Sequence, residues 1–189
     1  MIKATVGRIL LLGVLCWWIL GGCSRNEVLG RPVPADFVAQ GEHGEVSFAA
    51  LRGKTVWLSF SYLQCPDAVP RQLAGLTPAL AALSEEERAQ VQPLLISVDP
   101  DRDTPAALAH YAAYFHPQLA SAVPDKAALA NLTKALGAQR WQQPPRSDGQ
   151  YAVVHSADTY VIDPVGRLVA VLPDKAGPAD FRASLKAVR

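Results

Sequence analysis

Thr55-Val-Trp-Leu-Ser-Phe-Ser-Tyr62 runs directly into Leu63-Gln-Cys65-Pro66-Asp67-Ala68-Val69-Pro70. The first eight residues are dominated by β-branched, aromatic and small side chains, which predicts a strand. Pro70 predicts the first turn of a helix, where its missing N–H would have had no partner anyway. Leu73, Leu76, Leu80 and Leu83 then recur at helical spacing and give that helix one apolar face. Pro78 is expected to kink it. Cys65 therefore stands in a short connection between a strand and a helix. The other cysteines are Cys16 and Cys23, so none follows Cys65. This loop cannot cycle an internal dithiol and disulfide.

Working outward, residues 91–98 are nearly continuous apolar sequence, the pattern of a strand buried on both faces. Residues 36–40 and 46–49 flank the turn Gly41-Glu-His-Gly44 and read as short strands. Ser84-Glu-Glu-Glu87 has the form of a capping box. Asp103-Thr104-Pro105 starts a helix that places Leu108, Tyr111 and Phe115 on one face. Asp125 caps another helix, which runs to Leu136 and is stopped by Gly137. Residues 142–150 read as a loop. Strands follow over 151–155 and 158–162, then a turn over 163–166 and a returning strand over 167–172. The last helix covers 178–188, with Phe181 and Leu185 inward, and Trp57 belongs to the core. Strands alternating with helices predict an α/β fold: a central mixed β-sheet flanked by helices.

Composition limits the function. Half of the 189 residues are hydrophobic and the net charge is +1, so the chain is neither disordered nor steered toward nucleic acid. The N-terminus reads as an export signal. Lys3 and Arg8 precede an apolar run from Ile9 to Leu20, which is short for a membrane span of about 20 residues. Leu20-Gly-Gly-Cys23 then resembles a bacterial lipobox, which implies cleavage before Cys23 and lipidation of its thiol. Acyl chains would hold the protein on a membrane, each buried methylene contributing about 0.8 kcal/mol. The alternative is an uncleaved N-terminal anchor. The expected organisation is a signal peptide over 1–22, lipidated Cys23 with a linker to 33, and one domain over 34–189. Removing Lys3 and Arg8 from the 18 basic residues leaves 16 against 17 acidic, a net charge near −1. The domain would face an oxidising compartment, the periplasm. Cys16 would leave with the signal and Cys23 be blocked by lipid, so Cys65 would stay unpaired.

Three segments resemble one family. Residues 60–70 are similar to the cysteine loop of the Sco/SenC/PrrC proteins. Ser97-Val-Asp-Pro-Asp-Arg-Asp-Thr-Pro105 matches their Asp-Pro-x-Arg-Asp-Thr-Pro segment. Val154-His-Ser-Ala-Asp-Thr-Tyr-Val-Ile-Asp-Pro-Val-Gly166 resembles their Asp-His-Ser segment and the hairpin after it. Order and spacing agree from residue 36 to residue 189. The resemblance implies a thioredoxin-like fold and a membrane-tethered periplasmic protein. It also implies copper handling during assembly of the dinuclear copper centre of cytochrome oxidase, or a related thiol function. The family binds copper through Cys-x-x-x-Cys and a distant histidine. The matching positions here are Cys65, Val69 and His155, so one ligand is replaced by an apolar side chain, and Val154 stands where Asp is usual.

Cu(I) prefers soft thiolates and accepts imidazole, so Cys65 and His155 are the candidate copper ligands. They supply one sulfur and one nitrogen, enough for a two-coordinate Cu(I) site or half of a Cu(II) site. Met1 is the only methionine, and the nearby Asp67 and Asp158 are hard ligands. Copper retention should be weaker than at a three-ligand site, unless a partner completes it. That partner would be a cytochrome oxidase copper subunit or another periplasmic copper protein. Alternatively, Cys65 is a thiol reductant or peroxidase-type thiol, or the domain is a scaffold that only docks a partner. Cys65 just before a helix favours a reactive or ligating role over an inert packed one. His155 alone would read as satisfying a loop carbonyl. His43, His110 and His116 are assigned nothing. Arg102 and Asp103 are expected to brace the loop and cap a helix.

Overall fold

A computed structural model describes residues 28–65 and 68–188, with backbone alone over 68–72. The signal segment, Cys23, Pro66 and Asp67 lie outside the described residues. The strands are β1 (Val38–Gly41), β2 (Gly44–Ser47), β3 (Thr55–Ser61), β4 (Val91–Ser97), β5 (Ala120–Pro124), β6 (Arg140–Gln142), β7 (Val153–His155), β8 (Thr159–Ile162) and β9 (Leu168–Leu172). The helices are α1 (Ala68–Ala81), α2 (Glu85–Ala89), α3 (Pro105–Phe115), α4 (Lys126–Leu136) and α5 (Pro178–Ala187). Among the described residues no helix is long and apolar enough to cross a membrane.

Seven strands form one sheet in the order β2-β1-β5-β4-β3-β8-β9. β3 pairs in parallel with β4, and β4 with β5. Antiparallel partners finish both sides: β8 and β9 beyond β3, β1 and β2 beyond β5. The sheet is therefore mixed, as the alternation of elements predicted. Period-2 geometry divides the strand side chains between two cores. Val56, Leu58 and Phe60 of β3 and Leu94 and Ile96 of β4 join Leu129, Leu132 and Leu136 of α4 on one face. Trp57 and Leu95 join Leu76 of α1, Leu108 of α3 and Phe181 of α5 on the other. With both faces covered, β3 is buried at all seven positions, so its sequence shows no strict apolar–polar alternation, and its small polar residues Thr55, Ser59 and Ser61 are buried too.

Several boundaries differ from the sequence reading. β5 was not anticipated: Ala120-Ser-Ala-Val-Pro124 has one β-branched residue, and its strand conformation comes from pairing with β4 and β1. β6 lies where a loop was expected to begin and is held by pairing with β7. α1 starts at Ala68, two residues before Pro70, which still leaves that proline in the first turn. Pro78 falls in its last turn, and the helix continues to Ala81. Residues 28–33, expected as linker, dock instead: Gly30 N–H donates to the Leu168 carbonyl (2.7 Å) and Val33 N–H to the Gly166 carbonyl (2.9 Å). The capping box at Ser84, the Asp125 cap and the left-handed stop at Gly137 (φ 65°) form as read. At the start of α3 the cap is Thr104, whose hydroxyl accepts from Ala107 N–H; it is not Asp103.

Asp103 turns inward instead. Its carboxylate accepts from Ser97 Oγ (2.6 Å) and from the backbone N–H of Leu63 (3.2 Å), which ties the loop after β3 to the end of β4. Burial pushes its carboxyl above the ordinary range, and those two hydrogen bonds pull the other way without cancelling the effect. A carboxyl raised on folding contributes stability that is fully present below its unfolded value and is lost as pH rises through its folded value. The stability of the parent protein relative to Asp103→Asn should therefore be greater near pH 4 than near pH 7. Urea unfolding of both proteins across that range checks this, and a difference that grows toward neutral pH contradicts it.

Gly75 sets how closely α1 approaches the turn before α5. A Cβ there would lie 1.9 Å from the Ala176 carbonyl oxygen, a backbone atom that cannot swing aside. Overpacking costs about 1–3 kcal/mol or more, against a gain of about 1 kcal/mol for alanine over glycine in a helix. Gly75→Ala should lose about 2 kcal/mol in denaturant unfolding; an unchanged or raised midpoint contradicts this packing.

Candidate functional site

Parallel pairing brings the carboxyl ends of β3 and β4 to one level, the place where open α/β sheets form crevices. Two loops leave from there: residues 62–65 after β3, and residues 98–104 after β4. Cys65 N–H donates to the Tyr62 carbonyl (3.1 Å), which folds the first loop into a tight turn. The Cys65 side chain is half-buried and packs against both cores, so it sits where the two faces of the sheet meet.

β6 and β7 form a separate two-stranded ribbon that carries His155 to the same edge. Arg140, opposite His155 in that ribbon, donates from Nε to the Val98 carbonyl (2.8 Å) and fastens the ribbon to the end of β4. The Tyr62 hydroxyl accepts from Val153 N–H (3.2 Å), and its ring meets the His155 ring edge-on at 5.9 Å. Nδ1 of His155 donates to its neighbour's carbonyl at Ser156 (2.9 Å). A carbonyl only accepts, so that bond places the ring proton on Nδ1 and leaves a lone pair on Nε2. Nε2 lies 3.7 Å from Cys65 Sγ, within reach of the thiol proton. Burial pushes His155 below the ordinary imidazole range, although the Ser156 carbonyl opposes this. The ring is therefore neutral at neutral pH, the form that ligates a metal.

Arg102 organises the surroundings. Its Nε donates to the buried Asp99 carboxylate, and its Nη1 donates to Gln64 Oε1 (2.8 Å) and to the Tyr151 carbonyl (3.0 Å). The guanidinium stacks on the Tyr151 ring, 3.6 Å from its centre, while the Tyr151 hydroxyl donates to Asp99 (2.9 Å). Tyr111 of α3 is also near the thiol: burial pushes its phenol up, and negative charge on Cys65 adds to the effect.

The structure thus brings Cys65 and His155 together across 90 residues of sequence. Val69 is the second residue of α1. The remaining histidines are elsewhere: His43 on the β1–β2 turn beside Glu42, His110 exposed on α3, and His116 at the C-terminus of α3, where its ring accepts from Gln118 N–H. Among the described residues no group of three or more His, Cys, Asp or Glu side chains is placed to hold a metal ion. Two donors do converge. Metal–nitrogen and metal–sulfur bonds of roughly 2.0 and 2.3 Å fit a 3.7 Å gap only at a bent angle, which leaves a side open to a further ligand. Tyr62, Gln64 and Tyr151 went unread as site residues. Each lies in a strand or loop pattern that explains it fully until the chain is folded.

The SCO1/SenC family model matches residues 28–189. The mitochondrial protein SCO2 homolog of Bos taurus is 35% identical over 144 residues, 75% of this chain and 53% of that protein. The chain thus spans about half the length of that relative. Bradyrhizobium japonicum ScoI, solved with copper bound, aligns at a TM-score of 0.73 and 31% identity, covering 85% of this chain and 99% of that one. Yeast Sco1, also solved with copper bound, aligns at 0.70 and 31%, covering 84% and 88%. The fold is the thioredoxin-like one expected from the sequence. With the motif segments in family order and the match running through the whole folded region, the chain belongs to the SCO1/SenC family.

Proposed function

We propose that this chain handles copper at the surface of a bacterial membrane and assists assembly of a copper site in cytochrome oxidase or another periplasmic copper protein. One observation carries the reading: a thiol 3.7 Å from an imidazole nitrogen whose lone pair is kept free by the Nδ1–H bond to Ser156. A soft thiolate and a neutral imidazole suit Cu(I), and the relatives solved with copper bound support the same choice. With Val69 in place of a second thiol, the site is short of one ligand. Copper is then cargo held loosely, and the client protein supplies the third donor. Lipid on Cys23 would keep the domain at the membrane.

A thiol reading rests on the same pair. Cys65 is a free cysteine, and the neighbouring imidazole can take up its proton. In this reading the thiolate attacks a client disulfide, forms a mixed disulfide and releases the client's other sulfur as thiolate.

A Cu(I) competition titration with a chelating indicator separates the two. The parent should bind one Cu(I), and Cys65→Ser or His155→Ala should weaken binding at least about tenfold. Val69→Cys, four residues after Cys65, should tighten binding, and His155→Ala should remove that gain. Equal affinity in the parent and Val69→Cys proteins contradicts the missing-ligand account. No binding by the parent, together with mixed disulfides trapped on Cys65, selects the thiol reading. Mass spectrometry of membrane-extracted protein should find lipidated Cys23 at the N-terminus; an intact Met1 rejects the lipid anchor.

A further inference from the structure

Arg102 belongs to neither ligand-bearing segment, yet it bonds to both. Gln64 immediately precedes Cys65, and Tyr151 stands four residues before His155; Nη1 of Arg102 donates to each of them. The same guanidinium is fixed at its root by Asp99, which is 1% exposed, and across its face by the Tyr151 ring. A buried ion pair is a poor device for stability alone, because desolvation offsets most of the Coulomb gain. A planar fork that reaches three acceptors in fixed directions is instead a good device for geometry. Other contacts hold the two segments as well: Cys65 N–H donates to the Tyr62 carbonyl, Leu63 N–H to Asp103, and Ser156 N–H to the Gln139 carbonyl. Tyr62 holds Val153, and Arg140 holds the far strand of the ribbon, but neither bonds to Gln64 or Tyr151.

We propose that Arg102 is a positioning residue: by tying Gln64 to Tyr151 it sets the spacing between Cys65 Sγ and His155 Nε2, and with it the affinity of the pair for a soft metal ion. The affinity part rests on the copper reading above; the spacing part does not. Arg102→Gln removes the charge and the fork. Arg102→Lys keeps the charge, but its ammonium cannot serve Asp99, Gln64 and the Tyr151 carbonyl together. Gln64→Ala removes one contact of an exposed residue and leaves the buried network intact. Asp101→Asn is the control: Asp101 pairs with Lys126 on the surface, next to Arg102 in sequence but outside the network.

The experiment uses the full chain in detergent with Cys16→Ser and Cys23→Ser, so that Cys65 is the only thiol. In Cu(I) competition, Arg102→Gln and Arg102→Lys should each bind about tenfold more weakly or worse, the scale seen when partners that orient metal ligands are removed. Gln64→Ala should lose several-fold, and Asp101→Asn should match the parent. In a His155→Ala background, Arg102→Gln should cost less than about twofold, because there is no longer a pair to space. A merely structural role would weaken both backgrounds alike. Without metal, the proton NOE between Cys65 Hβ and His155 Hε1 should be present in the parent and lost in Arg102→Gln and Arg102→Lys. Parent-like affinity in Arg102→Lys and Gln64→Ala, or an equal loss in both backgrounds, overturns the proposal. If the parent binds no Cu(I), the copper reading fails, and the NOE decides the spacing alone: its retention in Arg102→Lys overturns it. Should Arg102→Gln not fold, Arg102→Lys and Gln64→Ala carry the test.

Discussion

The site depends on the parallel, in-register pairing of β3 with β4. Thr55 lies opposite Val91 and Ser61 opposite Ser97, so the two strands end together and their loops leave side by side. Val98 N–H then donates to the Ser61 carbonyl (2.8 Å), extending the pairing one step past the strand ends. Moving either strand by one residue would turn its buried side chains to the other face, so the double-sided core fixes the register strongly. The loops inherit that precision. Leu63 reaches Asp103, and Gln64 reaches Arg102, because both partners start from the same level of the sheet.

The carboxylates buried at this edge are paired, while Nη2 of Arg102 is buried without a hydrogen-bond partner. Asp99 and Asp103 are the carboxylates taken out of water among the described residues, and each accepts from two donors. Burying a carboxylate costs several kcal/mol unless hydrogen bonds compensate, and leaving one orphaned by removing its partner is worse than never having buried it. The arrangement therefore behaves as a unit. Its contribution is less to net stability than to the choice of one loop conformation among many, which a site built from two donors on separate segments requires.

The chemistry available is narrow. A half-buried thiol that touches both cores, with a neutral imidazole 3.7 Å away, offers a soft ligand and a borderline one. The Ser156 carbonyl acts behind the ring, as acceptors behind metal-binding imidazoles commonly do, fixing the tautomer and the ring orientation. Under the copper reading proposed above, Val69 in the first turn of α1 leaves the set one ligand short, which would favour transfer of a metal over its storage.

The sequence by itself determined the elements whose signal is local. β3 was legible from its β-branched and aromatic side chains, and β4 from a nearly continuous apolar run, the mark of a strand covered on both faces. The Ser84, Asp125 and Gly137 signals were legible because caps and stops depend on neighbours within four residues. Cys65 was legible from its place between a strand and a helix, and His155 from its motif. Tertiary structure decided what depends on distant partners. β5 is a strand only because β4 and β1 flank it. Residues 28–33 pack only because the β8–β9 hairpin offers them carbonyls and a cover. Tyr62, Gln64 and Tyr151 become site residues through contacts with Arg102, His155 and Val153 that span 38 to 93 positions. Periodicity carries information over one or two turns of chain. A thiol and an imidazole 90 residues apart in sequence come within 3.7 Å only once sheet register and the contacts between loop and ribbon are in place, when the chain has closed on itself.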